Sequence, residues 1–558
     1  MKVDYLVKNA KIFTSDEKQP YAEAFAVRNG KFVYVGDAAG LAGYEGEIRD
    51  MSGKFIMPGI IDPHVHICTS AANYYSEGMD VIPKTGKKEC LAYIAEAVAK
   101  NPEKAEYRFF MGLSQLKGEK LRKEELDAIC AEKNILILES EAHSIWCNSR
   151  VLRENGITED TPDIAPGLSY YERDENGKLT GYLVEMTEVP IAMADAAKVT
   201  KEQIRNFLTD FFRYEAAHGV TVMFEAGTPG ALDFHERVYQ VMCEMDREGK
   251  LPVTIEGSYS LYDERQFSGA VEVLKEYSAR FRTPHMKVRT MKIMLDGTLA
   301  IHTACLVNPY ADTGTRGGTV VSTERLTVFL LELNEAGFDL HVHTVGEGAV
   351  REVLDAVENA KKKLGDSFRI HVTCAHIEIM CDEDMNRFRE LDVTPDFTPF
   401  WHGGNCVSGG HRKAVELLGA ERADKMYRCM TMWDTGAEVT WSSDSVSFGK
   451  AFLDTWNPFV GMEVGMTRKD VNLAAVPGDY STAEFWPQEK ECIPMDRMLL
   501  GYTINAAKQL RLDADKGSVE AGKDADYLVF EKDLFAVTTA ELRHTVPQEV
   551  VTAGRTIR

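Results

Sequence analysis

The sequence predicts an α/β protein: a closed (β/α)8 TIM-like barrel with an inserted lid subdomain and a small β-sandwich domain built from both termini. Three observations predict it. Eight apolar strand-like runs alternate with amphipathic stretches, the first two runs are separated by far more chain than one βα unit needs, and the two chain ends share one alternating texture.

At the N-terminus, DYLVKNAKIFT and EAFAVRNGKFVYVGD alternate like small antiparallel strands, with a turn at Asn29-Gly30. A similar texture returns in ADYLVFEKD and EVVTAGRTIR at the other end. Residues 1–57 and 512–558 are therefore read as one β-sandwich, because the ends of a domain often lie close together. The barrel is read as 58–511.

The eight central runs are FIMPGIIDPHVH from Phe55, GVTVMFEAG from Gly219, PVTIEGSY from Pro252 and KVRTMKIMLDG from Lys287. They continue with FDLHVHTVG from Phe338, RIHVTCAHIE from Arg369, DVTPDFTP from Asp392 and EVTWSSD from Glu438. Amphipathic stretches at 202–217, 324–336 and 349–363 lie between them. About 150 residues separate His66 from Gly219, where a βα unit needs roughly 30. The excess, at about 70–200, is expected to fold as a lid beside the C-terminal mouth of the barrel.

A chain of 558 residues exceeds one ordinary core, which agrees with a large unit plus smaller ones. The net charge of −23 argues against a nucleic-acid or anionic-membrane partner, since phosphate binding needs a basic surface. No apolar run approaches the roughly 20 residues of a membrane span. The opening MKVDYLVKNAKIF lacks the apolar core of a signal peptide. Eleven cysteines, an odd number without CxxC spacing, read as reduced thiols, so a cytoplasmic protein acting on a small molecule is expected.

The chemistry concentrates at strand ends. His64 and His66, at i and i+2 of a strand, point the same way, and neutral imidazole is a common ligand for zinc and its neighbours. Lys292, His343, His376 and Asp444 close strands four, five, six and eight, where this fold places its reactive groups. Each alone has a plain explanation as a core histidine, a cap or a salt-bridged lysine; the series points to one shared metal site. Lys292 fits in either of two ways. Its amine takes up carbon dioxide to give a bridging carbamate, or it stays an ammonium held by acids such as Glu225 or Asp296.

These residues lie in motifs that resemble the amidohydrolase superfamily, specifically its YtcJ-like branch with the N-substituted formamide deformylases. The motifs are PGIIDPHVH, HSIWCNS, GVTVMFEAG, KIMLDGTLAIHTACLVNPY, HVHTVGEGAV, AHIE, WSSDSV and NAAKQLRLDADKGSVEAGKDADYLVF, in the expected order along nearly the whole chain. The resemblance implies that His64, His66, His343 and His376 ligate metal, that Asp444 is both ligand and general base, and that Lys292 carries the carbamate. His376, where it is not a ligand, polarises the scissile carbonyl. It implies one or two divalent ions per chain, zinc first, with iron, manganese or nickel as alternatives. A homodimer is suggested by the resemblance alone. The chain departs from the branch at Glu225, commonly Asp, at Ser442-Ser443-Asp444, commonly Gly-Ser-Asp, and near His302, where an Arg is usual.

The expected reaction is hydrolysis of a C–N bond in an amide, formamide, carbamate or lactam. Deamination of a nitrogen heterocycle, or hydrolysis of an ester or organophosphate, is the alternative on the same scaffold. A non-catalytic scaffold is the third reading, disfavoured because every ligand histidine is present. Candidate substrate contacts are His143 and Trp146 in the insertion, Glu225 after strand two, His302, and His402 in the loop after strand seven. His341, two positions before His343, is read as core or as a neighbour of the ligands. Phe397, Phe400, Trp401, Trp441 and Phe448 hint at an apolar substrate group, with packing of the rim as the plainer reading.

Overall fold

The run from Phe55 to His66 is two strands, not the single one that its apolar texture suggests. It divides at Gly59 into Phe55–Pro58, which joins the terminal β-sandwich, and β1, Ile60–Val65, which opens the barrel. A Cβ on Gly59 would stand 2.3 Å from Thr221 Oγ1, so the crossing point accepts only glycine. The computed structural model describes residues 1–74, 80–82, 86–116, 119–139, 143–194, 196–227, 232–403, 410–446, 454–469 and 485–558.

The barrel continues with β2 (Val220–Glu225), β3 (Thr254–Leu261), β4 (Met286–Met294) and β5 (Asp339–Thr344). It ends with β6 (Val372–His376), β7 (Val393–Phe397) and β8 (Thr440–Trp441). Each strand pairs in parallel with the next in chain order. β8 is shorter than EVTWSSD suggests: Asp444 lies beyond it, with φ +48°. That turn closes the ring, because Asp444 N–H donates to the His64 carbonyl at 2.9 Å and His66 N–H donates to the Ser445 carbonyl at 3.0 Å.

The helices that matter for the site are α1 (Ile67–Tyr74), α2 (Lys201–Ala217) and α3 (Leu232–Arg247). α2 starts at a capping box, with Thr200 and Gln203 bonding each other's backbone N–H. It buries Ile204, Phe207, Leu208 and Phe211, spaced three and four apart, on the barrel wall. Alternation along β5 sends Leu340 and Val342 into that same outer core, which leaves His341 and His343 for the barrel interior.

The insertion forms its own six-stranded sheet. Its strands lie in the order Tyr171–Arg173, Leu179–Val184, Ser144–Cys147, Asn134–Glu139, Glu106–Met111 and Asp80–Val81. Strict alternation puts Ile135, Ile137 and Trp146 on one face and Leu136, Leu138 and Ile145 on the other, each under its own apolar cluster.

The chain ends meet as expected. A four-stranded sheet from the N-terminus packs on a six-stranded sheet that mixes Lys11–Phe13 and Phe55–Pro58 with Tyr527–Phe530 and Glu549–Thr552. Tyr5, Phe25 and Phe32 meet Ile56, Tyr527 and Val551 in one core between them. Among the described residues no helix is long and apolar enough to cross a membrane, and the cysteines are free.

Candidate metal centre

The C-terminal mouth of the barrel gathers the ligand candidates. His64 Nε2 and His66 Nε2 lie 3.2 and 3.1 Å from Asp444 Oδ1. That oxygen is buried and has no hydrogen-bond partner among the described residues, so three lone-pair donors are aimed at one another. Such an arrangement suits a cation and leaves an orphaned carboxylate oxygen without one.

The backbone fixes the geometry. Asp62 Oδ1 accepts from the N–H of His64 at 3.3 Å and of Ser443 at 3.1 Å, tying the ends of β1 and the β8 turn together. His66 Nδ1 lies 2.7 Å from the Gly227 carbonyl. A carbonyl only accepts, so the proton sits on Nδ1 and the Nε2 lone pair faces the centre.

Lys292 Nζ lies 3.2 Å from His64 Nε2, fully enclosed. Burial pulls this ammonium down to about 8, against the opposing pull of Asp444, Asp396 and Glu225. On the far side of the same ring, His341 Nε2 approaches His64 Nδ1 at 3.0 Å, and Asp396 Oδ2 stands 3.6 Å from that nitrogen. His64, His341 and Asp396 thus make a second convergent donor group. His341 therefore sits against a ligand candidate, while Asp396 has no place in the reading of the sequence. Its signal was a carboxylate inside the apolar strand VTPDF; it accepts from the hydroxyls of Thr440 and Ser442, each at 3.1 Å.

His376 and His343 pack ring to ring at 4.5 Å, with His376 4.9 Å from His64. His376 Nδ1 is buried with no hydrogen-bond partner among the described residues, its backbone has φ +80°, and Trp401 stacks on its ring at 4.8 Å and 15°. The nitrogens of His343 and His376 lie outside the tight donor groups among the described residues, and their rings form the adjoining wall. Burial, with Lys292 adding to it, holds His64, His341, His343 and His376 well below the usual imidazole range. They are neutral, which is the ligating form.

The substrate candidates divide. His143 stands by the site, its ring 5.8 Å from His343, and its Nδ1 is 2.7 Å from Glu185 Oε2. Glu185 also accepts from the Thr303 hydroxyl, so an insertion carboxylate links His143 to the loop after β4. Sequence reading missed Glu185, since nothing in GYLVEMTEV separates it from Glu188. Trp146 does not line a pocket: it is fully buried in the core of the insertion sheet, on the face under Ile82 and Ile94. His302 turns to Asp312 at 3.0 Å and to the Tyr310 ring, away from the centre. His402 is neither exposed nor at the ligands; it is buried against Tyr427, Phe397 and Cys429, and its neighbour Trp401 makes the contact instead. Glu225 accepts from the backbone N–H of Ile67, Cys68 and Gly227, which occupies it with chain geometry rather than a substrate. Phe448 lies outside the described residues.

A (β/α)8 barrel with buried histidines, a buried lysine and an aspartate gathered at its C-terminal mouth has the donor set of a candidate metal-binding barrel. This chain belongs to the amidohydrolase family, whose model matches residues 47–558. The YtcJ protein of Bacillus subtilis is 25% identical across 98% of this chain and 98% of its own length. The N-substituted formamide deformylase of Arthrobacter pascens is 24% identical across 97% of this chain and 95% of its own. The crystal structure of an uncharacterized metal-dependent hydrolase from Pyrococcus horikoshii shares the fold, with a TM-score of 0.66 at 21% identity over 96% of this chain and 99% of that one.

Proposed function

We propose that this protein is a metal-dependent hydrolase that cleaves a carbon–nitrogen bond of an amide, N-acyl or formamide, carbamate or lactam. The observation that supports it most is the meeting of His64 Nε2, His66 Nε2 and the unpartnered Asp444 Oδ1 at one point. These three residues, with Lys292 as a carbamate and with His343 and His376, would hold one or two divalent ions, zinc first. A divalent ion there supplies an acidified water and a polarised carbonyl.

The side chains account for the rest. Asp444, held against β1 by its own backbone, takes a proton from the attacking water and returns it to the leaving nitrogen. His376, kept neutral and oriented by the Trp401 stack, sits where it can ligate or donate to the carbonyl oxygen. The depressed Lys292 presents free amine near neutral pH, as carbamate formation requires. His143, fixed by Glu185, brings the insertion to the substrate side and helps exclude water.

Elemental analysis of protein purified without chelators, followed by amine and ammonia release from a panel of amides, formamides, lactams and aminoheterocycles, tests this. The expected result is at least one divalent ion per chain and amine release that chelation abolishes. Folded protein that binds no metal on titration overturns the proposal; ammonia from aminoheterocycles alone replaces it with deamination.

A further inference from the structure

At the end of β2, three fully buried side chains of different chemistry converge: Cys68 of α1, Glu225 of β2 and His235 of α3. Their ligating atoms all lie within 4.8 Å of one another. His235 Nε2 stands 3.7 Å from Glu225 Oε1, a spacing of two ligands on one ion.

The second observation is that neither ring nitrogen of His235 has a hydrogen-bond partner among the described residues, although both are buried. A neutral imidazole carries one N–H and one lone pair, and leaving either unpaired in a buried site is costly. A histidine placed in a core for packing alone normally finds a carbonyl or a hydroxyl. This one finds the ring of Tyr239, at 4.4 Å, and the two acidic side chains. Ser260 Oγ is also buried without a partner among the described residues, and it sits against Gly227, whose N–H bonds Glu225 Oε1.

We propose that Cys68, Glu225 and His235 form a second metal site, a closed structural one that takes zinc or a similar thiolate-binding transition ion. A thiolate, a carboxylate and a neutral imidazole carry two negative charges, which a divalent ion cancels within an apolar wall. Sulfur in the set selects zinc, cobalt or nickel over magnesium and calcium, which prefer all-oxygen shells. The ion joins α1, which directly follows the ligand pair His64 and His66, to β2 and α3. It therefore braces the strand end on which the mouth depends. Binding releases the thiol and carboxyl protons to solvent, and no oxidant or reductant is needed.

Cobalt(II) loading of the full-length protein tests the site separately from the hydrolase reading, because the donors at the barrel mouth contain no sulfur. The expected result is a thiolate-to-cobalt charge-transfer absorption that disappears in Cys68→Ser, weakens in His235→Gln and survives the double variant His64→Asn, His66→Asn. Zinc X-ray absorption on the unmodified holoprotein needs no variant and should show sulfur among the scatterers. A zinc shell of nitrogen and oxygen only, or a cobalt spectrum unchanged by Cys68→Ser, overturns the proposal.

Discussion

The two ends of the barrel carry charge in opposite ways, and β5 shows both. At its start Asp339 is fully engaged: Arg511 Nε and Nη2 each donate to it at 2.8 Å, and His371 N–H donates at 2.8 Å. Toward its far end the same strand presents His341 and His343 to a space where Asp444 Oδ1 and His376 Nδ1 are buried with no hydrogen-bond partner among the described residues. A paired charge stabilises the fold by itself. A set of unpaired lone pairs loses stability unless a ligand meets it, and it is kept in place by the surrounding structure. The N-terminal end thus reads as framework and the C-terminal end as chemistry.

Substitutions at the two ends should separate these roles. The largest effect is expected from Asp444→Asn, which removes the proton acceptor. Turnover should fall about a thousandfold, within the range of a lost general base, while circular dichroism and melting stay close to wild type. Near-normal kcat would remove Asp444 from that role.

Next comes Glu256 in the N-terminal half of β3, whose carboxyl is pushed up to about 7 by burial, with Oε2 unpartnered. A raised acid pKa means that the folded state holds its proton where the unfolded chain has lost it. The associated stability is present below about 4.5 and is lost as pH rises to about 7. Glu256→Gln should therefore be more stable than wild type at pH 8 by up to about 3 kcal/mol, with the gap closing toward pH 5 and metal content unchanged. Urea melts at both pH values check this; a gap that widens toward pH 5 contradicts it.

Arg511→Ala should cost about 2 kcal/mol, since it removes both Arg511 bonds to the buried Asp339 carboxylate and leaves it to His371 N–H and to Arg289, 3.4 Å away, and it should leave metal content alone. A fall in bound metal without loss of stability would erase the contrast between the ends. The smallest effect should come from Trp401→Leu. Losing the stack on His376 forfeits about 1 kcal/mol, so kcat/KM should drop by about fivefold while melting falls by no more than that loss accounts for.

Much of this was legible in the chain. Period-two and period-3.6 patterns gave the eight barrel strands and their helices, because burial of one face is a local property of sequence. The positions of His64, His66, Lys292, His343, His376 and Asp444 at strand ends followed from the same count. The contacts across the sheet did not. Asp396, Glu185 and the Cys68–Glu225–His235 group are assembled from elements far apart in sequence, and no spacing rule links them. Trp146 and His402 lie in the core for a related reason: a face of a sheet or of a short helix can be core or pocket, and only the neighbouring layer decides.

The sequence by itself determined the barrel, the two-ended sandwich, the insertion and which strands bear the ligand candidates, since those depend on periodicity and chain order. The tertiary structure alone decided that Phe55–His66 splits at Gly59, that Asp444 faces both histidines, and which buried nitrogens lack partners. Those outcomes depend on distances between residues hundreds of positions apart, fixed by how strands close into a ring rather than by any local preference.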